Sequence, residues 1–303
     1  TCALPISDAD PEAWWAEWAK ELDWIEPFDT VLDWSNPPHA TWFGGGKLNV
    51  SANCLDRHVA AGNGDRIAYH CEAEDAGPDD RPVTGVGSEN GGRISVTYGW
   101  LHEQTQRLAN VLRGNGVRKG DVVGIFMPMV PEAAVAMLAC SRIGAIHNVV
   151  FGGFSAESLR ERMEFSEAKA LITADATLRR GEPVPMKAAI DHALDELPTM
   201  ELVVVFDRCG TSPPMKEGRD LDFSEALAAA DPVCEPEPMD AEDPLFLLYT
   251  SGSTAKPKGI IHTTGGYLTQ VAATHRMVFD LKEDDVFWCA ADIGWVTGHS
   301  YIV

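Results

Sequence analysis

The chain has 303 residues, 45% of them apolar and 23% charged, which is enough to bury one large core or two ordinary ones and argues against disorder over most of its length. Its 46 acidic residues against 24 basic ones leave a formal charge of -22, which argues against a nucleic-acid partner and confines polyanion binding to a few local cationic or amide-rich spots. With no apolar run near the roughly 20 residues of a membrane helix and no leader pattern at the start, the reading is a cytoplasmic protein without a membrane partner.

The acidity also suits a salt-rich cytoplasm. Seven cysteines lie scattered without a C-x-x-C pair, so no zinc or redox motif is suggested and buried free thiols are expected. Both ends read as cut: the chain begins at Thr1 and stops at Val303 after an apolar, strand-like stretch.

Residues 1–61 read as a helical, Trp-rich extension, with Pro11 after Asp8 and Asp10 as a helix start and Trp14 and Trp18 one turn apart. The main domain, 62–303, opens with an apolar stretch from Arg66 to Cys71. The acidic insert Glu72 to Gly92, with its Gly and Pro, is expected to be an exposed loop.

From Thr97 the pattern alternates. Leu101, Leu108, Val111 and Leu112 share a helical face, and Val122 to Phe126 is a strand. Then follow helix Pro131 to Ile143, strand Ala145 to Val150, helix Ser155 to Ser166, strand Ala170 to Thr173, helix Met186 to Leu194 and strand Leu202 to Phe206. Continuous apolar strands between amphipathic helices predict an α/β fold, a mostly parallel sheet with helices on both faces and ligands beyond the carboxyl ends of the strands. Leu221 to Asp243, acidic and proline-containing, reads as a connector to a strand at Leu245 to Tyr249.

Next comes Thr250-Ser251-Gly252-Ser253-Thr254-Ala255-Lys256-Pro257-Lys258-Gly259, then the apolar Ile260-Ile261 and a helical stretch from about Thr264. Small residues let backbone N–H groups turn toward phosphate oxygens, hydroxyls add donors, and Lys256 and Lys258 add charge, which suits a triphosphate. No Walker A spacing fits through Gly252. A generic Ser/Gly linker would account for the first half of the string but not for K-P-K-G.

The loop resembles the signature of the adenylate-forming superfamily, [ST]-S-G-[ST]-T-G-x-P-K-G. Within it, the chain resembles the acetyl-CoA synthetase family, on His262 to Leu268, Trp288 to Tyr301, Ala52 to His58, Gly120 to Val122, Met127 to Met129 and Val149 to Ser155. The resemblance runs from about Trp14 to Val303. One departure is Ala255, where the family has glycine; if that position needs a positive φ, alanine costs about 1 to 2 kcal/mol.

The resemblance implies an incomplete large N-terminal domain of an AMP-forming acyl-CoA ligase, with the small C-terminal domain absent. The implied substrates are acetate, ATP and CoA, activated through an acetyl-adenylate with release of pyrophosphate. Thr250, Ser251, Gly252, Ser253, Thr254, Ala255, Lys256 and Lys258 would hold the ATP phosphates. Trp295, Val296 and Thr297 would wall the acetate pocket. Arg179, Arg180, Gly181 and Glu182, with Thr297, would meet CoA, Glu182 standing where the family's R-x-G-R turn ends in arginine. No protein nucleophile is implied. The Mg2+ ligands and the adenylation lysine are expected beyond Val303, so the chain alone is expected to be inactive. A propionate-preferring ligase and a non-catalytic nucleotide-binding fragment remain as alternative readings, and the oligomeric state is open.

Overall fold

The computed structural model describes residues 4–72, 88–89, 93–250 and 257–303. Two short helices open it, α1 (Leu4–Ala9) and α2 (Pro11–Ala19). Asp10 caps α2 by accepting the Ala13 N–H at 3.0 Å, with Pro11 at the first helical position. Trp14 and Trp18 meet edge to face at 6.0 Å.

The helical reading of residues 1–61 holds for residues 4–19 and 52–60 but not between them. Beyond Ala19, β1 (Thr30–Asn36) and β2 (His39–Gly44) form an antiparallel hairpin, followed by β3 (Lys47–Leu48). Pro37 and Pro38 rule out a helix there, and the rings of Trp24, Phe28 and Phe43 pack against one another with centroids 5.0 to 5.5 Å apart. A π-helical turn (Ala52–Asp56) then leads into α3 (Arg57–Ala60).

β4 (Ile67–Glu72), β5 (Ser88–Glu89) and β6 (Arg93–Thr97) make an antiparallel sheet in the order β4-β6-β5. The acidic insert read as loop therefore contributes one short strand. Its residues 73–87 and 90–92 lie outside the described residues.

The alternating segment follows its pattern closely. Helix α4 (Tyr98–Gly114) buries Leu101, Leu108, Val111 and Leu112. After it come β7 (Val122–Phe126), α5 (Pro131–Arg142), β8 (Ile146–Val149), α6 (Ala156–Phe165) and β9 (Ala170–Ala174). A small hairpin, β10 (Ala176–Arg179) and β11 (Glu182–Pro185), precedes α7 (Lys187–Asp195) and β12 (Leu202–Phe206).

The expected connector is more ordered than its composition suggested. It holds part of β13 (Asp220–Asp222), then α8 (Phe223–Ala229) and β14 (Met239–Asp240). Asp222 caps α8 through the Glu225 N–H at 2.8 Å, and Phe223 and Leu227, one turn apart, bury its inner face. The chain closes with β15 (Pro244–Thr250), β16 (Lys258–Thr263), α9 (Thr264–Met277) and α10 (Val296–Ile302).

The main sheet has the order β13-β12-β9-β7-β8-β15-β16, parallel except for β16. From β7 the chain moves one way to β8 through α5 and back past β7 to β9 through α6. Right-handed crossovers in opposite directions put these two helices on opposite faces. Every residue of α5 is buried, as expected of a helix packed on all sides. Arg142 at its end reaches Asp56 with a bidentate fork at 2.7 and 2.9 Å and so ties the N-terminal segment to the sheet.

Residues read as strand-like before Val303 form α10 instead. The β-branched Val296, Thr297 and Ile302 favour a strand weakly, but packing decides: Gly298 and His299 of this helix are buried.

Candidate ligand cavity at the carboxyl edge of the sheet

A cavity of about 470 Å3 opens beyond the carboxyl ends of β7 and β8. Its walls are Phe126 to Met129 after β7, Phe151 to Ala156 between β8 and α6, the β10–β11 hairpin, the start of α7, and Asp292. Such a place is dictated by topology: the connection from β7 runs one way to β8 and the next runs back past β7 to β9, so the loops beyond these strand ends part there.

The hairpin brings Arg179 into this wall. Arg179 pairs across the strands with Glu182, leaving Arg180 and Gly181 as a two-residue turn with φ of 56° and 79°. That is the turn whose twist matches a hairpin, and it needs the left-handed region at both central positions. Glycine takes it freely, whereas Arg180 pays about 1 kcal/mol for it. Of the four residues expected at CoA, Arg179 lines the cavity, while Arg180, Gly181 and Glu182 are exposed at the hairpin tip.

A second cation on this wall, Arg208, had not been singled out from the sequence. It stands two residues past the end of β12, and the rule that ligands lie beyond strand ends is the signal that would have found it. Asp175, just past β9, fixes its backbone. The buried Asp175 carboxylate accepts the N–H groups of Arg208 at 2.9 Å, Cys209 at 3.1 Å and Thr211 at 2.9 Å, and the Thr211 hydroxyl at 2.9 Å. Burial alone would raise its pKa, but these donors outweigh burial and hold the carboxyl below the usual range.

The expected phosphate loop springs from the sheet at β15 and β16. Its feet are set by the last cross-strand pair, Thr250 with Lys258, and Lys258 is exposed. Ser251, Gly252, Ser253, Thr254, Ala255 and Lys256 lie outside the described residues. At the next pair, Tyr249 opposite Gly259, a Cβ on Gly259 would meet Tyr249 Cε1 at 3.2 Å and Leu247 Cδ1 at 2.9 Å. The glycine of K-P-K-G thus makes room for an aromatic ring laid across the base of the loop. That ring also faces the Arg162 guanidinium, 5.6 Å from its centroid, and Phe154 of the cavity wall faces the same guanidinium at 4.6 Å.

Trp295, Val296 and Thr297 stand exposed at the start of α10 and do not line the cavity. Trp295 reaches it indirectly, packing edge to face at 4.8 Å on Phe151, which does line it. Three residues earlier, Asp292 faces the cavity with a pKa raised by burial, although the Gly294 N–H donates to it at 2.7 Å. Gly298 fits α10 against this segment, since a Cβ there would fall 2.1 Å from the Asp292 carbonyl oxygen.

A mostly parallel sheet covered by helices, with a cavity at the carboxyl ends of its strands, describes an α/β ligand-binding domain. The chain belongs to the AMP-binding enzyme family, whose model matches residues 57–303, and residues 5–54 match the acetyl-coenzyme A synthetase N-terminus. It is 54% identical over 294 residues to an acetyl-coenzyme A synthetase of Rubrobacter xylanophilus, covering 97% of this chain and 43% of that protein. With acetyl-coenzyme A synthetase 2 of Pseudomonas putida it shares 51% identity over 295 residues, 97% of this chain and 44% of the relative. Among solved structures, acetoacetyl-CoA synthetase from Streptomyces lividans superposes with a TM-score of 0.84 at 27% identity, over 98% of this chain and 43% of that one. The chain therefore spans less than half the length of these relatives.

Proposed function

We propose that this chain is the front part of a cytoplasmic acetate-CoA ligase. Acetate attacks the α-phosphorus of ATP, the bond to the β-phosphate oxygen breaks, and pyrophosphate leaves. The CoA thiol then attacks the acetyl carbonyl of the adenylate, giving acetyl-CoA and AMP with loss of the thiol proton. In this reading the loop from Thr250 to Lys258 cradles the ATP phosphates, Trp295 to Thr297 border the acyl group, and Arg179 holds CoA nucleotide phosphate. Catalysis rests on positioning and charge neutralisation, with no covalent enzyme intermediate.

The observation that carries this reading is the cavity itself. Arg179, Asp292 and Phe151 line it at the strand ends, and Trp295 packs behind Phe151, which supports the reading. The Mg2+ ligands and the adenylation lysine are assigned to the part of the protein outside these 303 residues. Acetate-dependent exchange of pyrophosphate into ATP by the full-length protein, before any CoA is added, tests the reading. No exchange with acetate would overturn it, and faster exchange with propionate would change the substrate.

A further inference from the structure

Arg208 is a cation without a task inside the fold. Its Nε is buried with no hydrogen-bond partner, and among the described residues no carboxylate forms an ion pair with it. Most other partly buried arginines of this chain are committed: Arg142 to Asp56, Arg219 to Asp191, Asp195 and Asp220, and Arg160 to Glu157 and Glu164. In a chain of formal charge -22, a guanidinium left without a carboxylate partner on a cavity wall is free to meet an anionic ligand, and its buried Nε lacks an acceptor until one arrives.

Its placement is also over-determined. The four donors on the Asp175 carboxylate all come from the segment 208–211, and that turn uses φ of 69° at Gly210 and 49° at Ser212. The ionisable groups facing the cavity are Arg179, Arg208, Glu72 and Asp292. Across the hairpin from Arg179 stands Glu182, which is exposed and supplies no second positive charge.

We propose that Arg208 is a second phosphate-binding residue of this cavity and, with Arg179, receives the ribose 3′-phosphate of CoA. A phosphomonoester is close to dianionic at neutral pH and offers three acceptor oxygens, matching two guanidinium forks better than a diphosphate bridge does. The assignment rests on the reading of this cavity as the CoA nucleotide site. It gives the missing positive charge a source on a different element, the end of β12.

The test uses the full-length protein and the ratio of kcat/KM for CoA to kcat/KM for dephospho-CoA, which lacks only that phosphate. A ratio is insensitive to partial loss of folded enzyme. Arg208→Gln is expected to lower it about tenfold, the order of one charge-assisted hydrogen bond, and Arg208→Lys to restore part of the loss. A ratio unchanged in Arg208→Gln but lowered in Arg179→Gln would overturn the role of Arg208 while leaving the cavity reading intact. A ratio unchanged in both variants would remove the cavity reading and the proposal with it.

Discussion

His147 Nε2 lies 2.6 Å from His299 Nε2, the two buried rings stacked with planes 11° apart. The hydrogen bonds around them fit a chain of donors that runs from His147 through His299 and Tyr267 to Ser300. Tyr267 donates its hydroxyl to Ser300 Oγ at 2.9 Å, so its oxygen accepts from His299 Nδ1 at 2.7 Å. His299 Nε2 then carries no proton and accepts from His147 Nε2. His147 Nδ1 is left as a buried lone pair without a partner. This chain of bonds joins β8 to α9 and holds α10, and with it the Trp295–Thr297 segment, against the sheet.

Both imidazoles are kept neutral by burial, His147 down to about 3 and His299 well below its ordinary value, with His147 and His262 adding repulsion. A histidine with a lowered folded-state pKa contributes full stability above its unfolded value near 6.5, and loses it as pH falls toward the folded value. Each such group gives a slope of about 1.4 kcal/mol per pH unit in that window. His147→Gln keeps a donor toward His299 and removes one titration. Chemical denaturation at pH 6 and pH 4 should therefore show the stability difference shrinking by about 2 to 3 kcal/mol, and an unchanged difference would rule out a neutral buried His147.

Arg142 is 2% exposed, and its fork on Asp56 is the main polar tie between the N-terminal segment and α5. Burial works to raise the Asp56 pKa, but the Arg142 and His102 contacts prevail and hold it well below the carboxylate range. Arg142→Ala leaves the half-buried Asp56 carboxylate with only His102 at 3.3 Å as an ionisable partner and should cost about 3 kcal/mol. Equilibrium unfolding checks it, and Asp56→Asn should recover part of the loss in the double variant.

Gly259→Val places two methyl groups where Tyr249 and Leu247 lie. A cost of about 1 to 3 kcal/mol is expected, together with a higher KM for ATP because the base of the loop is displaced. Steady-state kinetics with Gly259→Val and Tyr249→Leu, singly and combined, separate the two effects. Combination should restore stability more than ATP affinity.

Thr297→Val is expected to move preference from acetate toward propionate by roughly tenfold, since one methylene is worth about 1 to 3 kcal/mol in such a pocket. Competition between the two acids in the full-length protein measures it. An unaltered ratio would take Thr297 out of the acyl wall.

Expressed alone, the 303-residue chain is expected to release no pyrophosphate with acetate and ATP, because it spans less than half of its relatives. Detectable turnover would show that the described cavity and the loop suffice.

The strands and helices from Tyr98 to Phe206 were legible in the sequence because burial imposes period there. Residues buried on both sides of a parallel sheet must be continuously apolar, and each helix must turn one stripe inward. The hairpin of residues 30–44 fell inside a helical reading of residues 1–61 that rested on Pro11, Trp14 and Trp18, whereas Pro37–Pro38 and the ring packing of Trp24, Phe28 and Phe43 set its form. At the far end β-branched residues suggested a strand where His299 and Gly298 fix a helix. Those choices depend on partners far away in the chain, which local propensity does not contain.

The candidate site divides along the same line. The serine- and lysine-rich loop and the arginine turn are contiguous strings, so sequence alone determined the family and suggested the class of ligand proposed above. Only the tertiary structure decided that Arg179 and not Arg180 faces the cavity, that Gly259 makes room for Tyr249, and that Arg208, its backbone held by the buried Asp175, joins the wall. Those residues sit on separate elements, the β10–β11 hairpin, the end of β12 and the β15–β16 pair, and only folding of the sheet fixes their neighbours.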